Sequence, residues 1–229
     1  MRIILAVLLV ALMALTGAPV RAADLPDYPV DVPTVDYGLQ GGFYLRGSGA
    51  LNVLWTQEHL GTCGCIDPAT GAGYGYSLGA GFGYETGTGL RFDGTIDYLS
   101  NDGLTDGTNT LHLRSAVGLA NAYYDIPLSG GGAAGGGFGA YVGAGVGAAW
   151  YKVNVTPANA ALPDGSGWTP AAAAMAGVTY DAGSWVADLG YRLIYMPKIS
   201  NYATPPNRPY YLNDNTVSEV RGTVRYRFQ

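Results

Sequence analysis

The 229-residue chain is short of charge, histidine and cysteine, and it has no apolar run long enough to cross a membrane as a helix. Only 13% of its residues are charged, and it carries two His and two Cys. The two cysteines, spaced Cys-x-Cys, do not by themselves make a metal site, since zinc would need about two more ligands and only His59 is nearby. The longest apolar stretch, Ile3 to Leu15, falls below the roughly 20 residues that a spanning helix needs. Basic residues are outnumbered, 12 Lys plus Arg against 17 Asp plus Glu, which argues against nucleic acid as a partner. In place of these the chain has 36 Gly and 18 Tyr, a composition suited to tightly packed, aromatic-banded strands.

The N-terminus reads as an export leader. Met1-Arg2 opens a positive region, Ile3 to Leu15 is the apolar run, and Val20-Arg21-Ala22 places small residues where cleavage is read, so residues 1–22 are expected to be removed. Losing Arg2 and Arg21 takes Lys plus Arg from 12 to 10 and net charge from −5 to −7. Residues 23–42 follow as a periplasmic lead-in, with Pro26, Pro29 and Pro33 removing backbone donors and Asp24, Asp27, Asp31 and Asp36 resisting burial. Acidic docking to a partner is the alternative there.

From Phe43 onward, over residues 43–229, apolar residues recur at every second position. Side chains of a strand alternate in direction, so each segment has a greasy face and an opposite one. The expected strands are Phe43–Trp55, Ala72–Glu85, Leu90–Leu99, Thr110–Tyr124, Phe138–Tyr151, Ala171–Tyr180, Trp185–Tyr195 and Ser218–Phe228. In the third, Leu90, Phe92, Ile96 and Tyr98 oppose Arg91, Asp93, Thr95 and Asp97. In the fourth, Leu111, Leu113, Val117, Leu119 and Tyr123 are assigned to the greasy face and His112 and Arg114 to the other. The alanine run makes the sixth the least strand-like by propensity. Three charges on the core side of a soluble sandwich would be very costly, so the pattern implies apolar faces toward lipid and charges toward a lumen. The expected fold is an all-β, eight-stranded antiparallel up-and-down transmembrane barrel. A soluble exported β-sandwich is the competing class.

Connection lengths alternate as in bacterial membrane barrels. Thr86–Gly89 and Asp181–Ser184 are tight, whereas Thr56–Gly71, Ser100–Asn109, Lys152–Pro170 and Met196–Thr216 read as four long external loops. Asp125–Gly137 is an unusually long periplasmic turn whose Gly-rich run, 130–137, reads as a flexible linker. Aromatic girdles are expected near the periplasmic interface (Phe43, Tyr84, Phe92, Tyr123, Phe138, Trp185, Phe228) and near the outer one (Trp55, Tyr74, Tyr98, Trp150, Trp168, Tyr195).

Three short stretches carry a family resemblance: Ala23-Asp24-Leu25-Pro26, Gly41-Gly42-Phe43-Tyr44-Leu45 and the closing Val224-Arg225-Tyr226-Arg227-Phe228. They resemble the small outer-membrane β-barrel proteins of α-proteobacteria, the opacity-type and porin-like surface antigens. The resemblance implies surface display and a structural role with no defined reaction. It also implies a closing aromatic read by the barrel-assembly machinery, although here Gln229 follows Phe228.

Under this register Arg46, Glu85, Arg91, Asp93, Asp97, His112, Arg114, Asp188, Arg192, Glu219, Arg221, Arg225 and Arg227 project inward. Buried charges persist when paired, and an eight-stranded lumen is filled by side chains, so these residues are expected to form a salt-bridge plug. An arginine-lined pore is the sharper alternative. Enzyme chemistry has little support. Neither His59 nor His112 has a serine at a catalytic spacing, so no catalytic residue and no cofactor is assigned. Cys63-Gly64-Cys65 falls in the first external loop and is read as a disulfide, with free thiols or a metal as alternatives. The expected partners are outer-membrane lipid and lipopolysaccharide, the assembly machinery during insertion, and host or phage molecules at the loops. The barrel is expected to be a monomer.

Overall fold

The computed structural model describes residues 41–60, 72–105, 110–128, 137–156, 163–202 and 210–228. The leader, the lead-in up to residue 40, Cys63, Cys65 and most of the Gly-rich turn lie outside the described residues, as does the side chain of His59. The described chain forms β1 (Gly42–Leu60), β2 (Ala72–Glu85), β3 (Leu90–Thr105), β4 (Thr110–Pro127), β5 (Gly137–Thr156), β6 (Gly165–Asp181), β7 (Trp185–Ser200) and β8 (Tyr210–Arg227). Each strand pairs antiparallel with the next, and β8 pairs with β1, so the sheet closes into a barrel without an edge. Closure pairs the backbone groups within the sheet, the condition for placing strands in hydrocarbon.

The register fixes the barrel's dimensions. From Tyr44 the paired positions run through Gly83, Asp93, Asn121, Gly145, Ala173, Ile194 and Val217 and return to β1 at Leu54, ten residues on. A shear of ten over eight strands, with spacings of about 3.3 Å along and 4.8 Å between strands, gives a tilt of about 41° and a backbone radius of roughly 8 Å. Tyr84 and Tyr74 on β2 are ten residues apart, so at that tilt they stand about 25 Å apart along the axis, the height of an outer-membrane apolar band. Rings pack against one another at the lower level: Phe43 meets Phe82 at 5.4 Å and Tyr84 at 5.0 Å, and Trp185 meets Tyr226 at 4.9 Å.

Outward faces follow the sequence reading on six strands. Leu51, Leu78, Ile96, Val146, Leu189 and Val220 are all exposed large apolar side chains, while Arg91, Asp97, Arg192 and Arg225 are buried. On β4 the assignment is reversed. Leu111, Leu113, Val117, Leu119 and Tyr123 are buried inside the barrel, and Ala116, Gly118, Ala120 and Ala122 form the outward row. Tyr123 therefore leaves the lower girdle and joins the lumen. The physical reason is volume: lipid accepts a small side chain, whereas the interior at this level must be filled, so the bulkier face turns inward.

The alanine run of β6 is a strand because β5 and β7 pair along both of its sides, and those ladders override its weak propensity. Several strands also outrun their sequence limits. β1 continues to Leu60, β3 to Thr105, β5 to Thr156 and β7 to Ser200, while β6 begins at Gly165 and β8 at Tyr210. Much of what reads as external loop is therefore barrel wall standing above the outer girdle.

Candidate functional site

The candidate site is the lumen. Because strands rise about 2.5 Å along the axis per residue at this tilt, the register assigns every inward residue a height. Ionic side chains occupy the half on the side of the tight β2–β3 and β6–β7 turns, and apolar ones the opposite half.

At the mouth beside the tight turns Arg225 makes two bonds of 2.9 Å to the carboxylate of Asp188 and a further one to Glu85. Arg227 bonds Glu85 at 2.7 Å and Asp181 at 2.5 Å. Arg91 holds Asp125 with two bonds of 3.0 Å and lies 4.0 Å above the Tyr123 ring. Slightly higher, Asp93 accepts from Arg46 at 2.8 Å, the Tyr44 hydroxyl at 2.9 Å and the Asn121 amide at 2.7 Å, while Arg46 also donates to the Tyr123 hydroxyl at 2.8 Å.

Near mid-barrel, Arg192 and Arg221 each bridge Asp97 and Glu219. The four contacts are 2.7, 2.7, 2.7 and 3.0 Å, and all four side chains are at most 5% exposed. Ser77 donates to Glu219 at 2.8 Å and accepts from Arg221 at 3.1 Å, and Arg221 also donates to Ser48. Two cations and two anions close a ring over three strands, β3, β7 and β8. In such a ring each carboxylate has both of its oxygens occupied, which is the condition for burying charge at tolerable cost.

Above the ring the interior turns apolar. Leu54, Leu99, Leu113, Ile194, Met196, Ile199, Leu212 and Val217 are fully or almost fully buried in one cluster with Val117 and Val153. Among the polar groups at this level, the Asn101 amide donates to Asn52 at 2.6 Å and the Asn215 amide to the carbonyls of Met196 and Leu212, while the Ser115 hydroxyl is buried without a partner. A core of this kind excludes water and ions as a soluble domain's core does.

Eleven of the thirteen sequence-assigned lumen charges thus lie in this network: Arg46, Glu85, Arg91, Asp93, Asp97, Asp188, Arg192, Glu219, Arg221, Arg225 and Arg227. His112 and Arg114 do not. With β4 reversed they stand on the outer wall above the upper girdle, about one-third exposed, and both contact Asp102, at 2.6 Å and 2.8 Å. Two partners were not legible as lumen residues. Asp125 and Asp181 sit where strand gives way to turn, and only the register shows that they meet Arg91 and Arg227. Among the described residues no group of three or more His, Cys, Asp or Glu is arranged to hold a metal ion.

The sequence matches no family model and no curated protein. Among solved structures, the crystal structure of Neisserial surface protein A aligns with a TM-score of 0.55 at 21% identity, covering 81% of this chain and 97% of that one. The chain has the fold of a small outer-membrane barrel. The outer-membrane protein OprG from Pseudomonas aeruginosa (TM-score 0.47, 14% identity, 81% of this chain and 96% of that one) and the attachment invasion locus protein Ail of Yersinia pestis (0.39, 16%, 80% and 99%) also match.

Proposed function

We propose that this chain is an exported outer-membrane protein whose barrel is a sealed structural body. It contributes to envelope integrity and displays four external loops, and it catalyses no reaction of its own. The stacking of an apolar core on a closed ion-pair ring carries the proposal. An ion entering from the periplasm meets arginines and carboxylates paired with one another, and above them a layer packed mainly with apolar side chains. The description of the aligned Neisserial protein as a surface protein, and the opacity-type resemblance of the chain ends, fit surface display. Lipid and lipopolysaccharide surround the wall in this reading, the assembly machinery engages the closing strand during insertion, and host or phage molecules meet the loops of a monomer.

A narrow diffusion channel is the second reading, favoured by the six arginines of the periplasmic half. Planar bilayers separate the two. The sealed barrel gives no steady conductance, and a reproducible unitary current would establish the channel instead. Localisation is read on the same preparation: the protein should fractionate with outer membranes and migrate differently on gels before and after boiling.

A further inference from the structure

The ladders of the barrel are not equally long. Between β6 and β7 ten positions pair, from Asp181 opposite Val186 to Ala172 opposite Tyr195, and there the ladder stops, although β6 reaches Gly165 and β7 reaches Ser200. Every other neighbouring pair shares at least twelve positions. The sequence supplies the cause. Continued upward, the same register sets Pro170 opposite Pro197. The turn bond from the Ala182 amide to the Trp185 carbonyl fixes the alternation, so this is a pair that would exchange two hydrogen bonds. Proline has no N–H, so two prolines face to face remove both. Above them the strands have slipped by one position: a Cβ at Gly165 would lie 2.3 Å from Asn201 Cα, whereas the lower register would set Gly165 opposite Tyr202.

One side chain bridges the gap. Tyr151 reaches from β5 beneath Gly167 of β6, where a Cβ would stand 2.7 Å from its hydroxyl, and ends on β7. There the hydroxyl accepts from the Ser200 N–H at 3.0 Å and donates to the Ser200 carbonyl at 3.1 Å, with both residues fully buried. Higher still, the Asn201 amide donates to the Pro163 carbonyl at 3.3 Å. The unpaired stretch lies beside Trp168 and Tyr195 of the upper girdle, and Ile194, Met196 and Ile199 of the apolar cluster stand behind it.

We propose that this seam is a lateral window in the barrel wall, latched by the Tyr151 hydroxyl, which opens the apolar half of the lumen to a lipid acyl chain while the other ladders stay closed. The inference rests on the membrane placement proposed above. Separating strands elsewhere breaks a continuous ladder, whereas here the prolines have already freed the backbone and a phenol holds it. The guest is apolar because the layer behind the window is. The ion-pair ring below stays paired when the window opens, so no axial path for ions is added.

The test is the rate at which a membrane-permeant maleimide labels Met196→Cys in the protein folded in lipid vesicles, with Cys63 and Cys65 changed to serine. Met196 is fully buried and pairs with β8 but not with β6. Leu54→Cys is the reference, equally buried in the same cluster but paired on both sides, with Gly73 and Val217. Met196→Cys should label at least roughly tenfold faster than Leu54→Cys. Adding Tyr151→Phe, which keeps the ring and removes the hydroxyl, should raise that rate about tenfold more and leave Leu54→Cys unchanged. Pro197→Val returns one ladder donor opposite the Pro170 carbonyl and should slow the labelling, an arm that stands even if Tyr151→Phe does not fold. Equal rates at the two cysteines, equal acceleration of both by Tyr151→Phe, or no slowing in Pro197→Val would overturn the window. So would a charged, impermeant maleimide that labels Met196→Cys as fast as the permeant one, since that route would run through water. Conductance and fractionation are separate readouts, so this proposal and the sealed-barrel reading fail independently.

Discussion

Neutralising Asp97 should unbalance the mid-barrel ring. In Asp97→Asn, Arg192 and Arg221 lose their shared carboxylate, 2.7 Å from each, and are left on Glu219 alone. Removing one partner from a buried ion pair costs about 3–5 kcal/mol, because the surviving charge stays desolvated. At about 1.4 kcal/mol per tenfold, that is a loss of two to three and a half orders of magnitude in the folding constant. The ring also predicts its own rescue. Asp97→Leu combined with Arg192→Met removes one charge of each sign and leaves Arg221 on Glu219 at 3.0 Å, so the double variant should recover at least about 2 kcal/mol of the summed single losses. Asp102→Asn is the control. Its carboxylate is half exposed and bonded to Arg114 on the outer wall, so it should cost no more than about 1 kcal/mol. Urea titrations in lipid vesicles, followed by tryptophan fluorescence and by the unboiled gel band, give all five values: Asp97→Asn, the two single variants of the cycle, their double variant and the control. An Asp97→Asn loss no larger than that of Asp102→Asn, or additive losses in the double variant, would refute the ring as a coupled buried unit.

Orientation is tested at Ile96, which is 72% exposed near the middle of the apolar band. Ile96→Arg should lower stability in vesicles by about 2–4 kcal/mol, and a silent substitution would mean that this face does not meet lipid. The reversed face of β4 is tested by cysteine labelling: Ala120→Cys should react with a membrane-permeant maleimide and Leu119→Cys should not, and the opposite result would restore the sequence assignment. Glycine spacing is tested at Gly147 and Gly94. A Cβ at Gly147 would overlap the Gly118 carbonyl, so Gly147→Ala should cost about 1–3 kcal/mol, whereas Gly94→Ala meets open space and should be neutral within about 0.5 kcal/mol.

Fold class was legible wherever one face of a strand was charged and the other bulky. Leu90–Leu99 identifies its lumen row directly, because Arg91, Asp93 and Asp97 have no place in lipid. β4 offered no such contrast. One of its faces carries Leu111, Leu113, Val117 and Leu119, the other His112 and Arg114 followed by Ala116, Gly118, Ala120 and Ala122. A rule that sends charge inward then misfires, because His112 and Arg114 lie above the hydrocarbon, where charge faces water and headgroups at little cost. Height along the axis decides the matter, and height depends on shear, a property of all eight strands together. Partner identity was hidden for the same reason. Arg192 and Asp97 are 95 residues apart in sequence, and nothing local announces that they share a level.

The glycine rows that dominate the sequence find their cause in the same interior. On β2, a Cβ at Gly79 would overlap the Asp97 carboxylate, one at Gly81 would crowd Arg46, and one at Gly83 would meet the Tyr44 ring. On β5, Gly143 and Gly145 give way in the same manner to Tyr123 and Asn121, and on β6 and β7 Gly177 and Gly190 make room for Tyr141. A lumen with a backbone radius of roughly 8 Å cannot hold long side chains from every wall. Each arginine or tyrosine that crosses it therefore needs a neighbouring position with no side chain. Glycine at alternate positions and ion pairs distant in sequence are two sides of one packing problem. Enlarging a glycine beneath the ring and shortening an arginine within it should then compensate in part, as substitutions at neighbouring sites in a shared volume do.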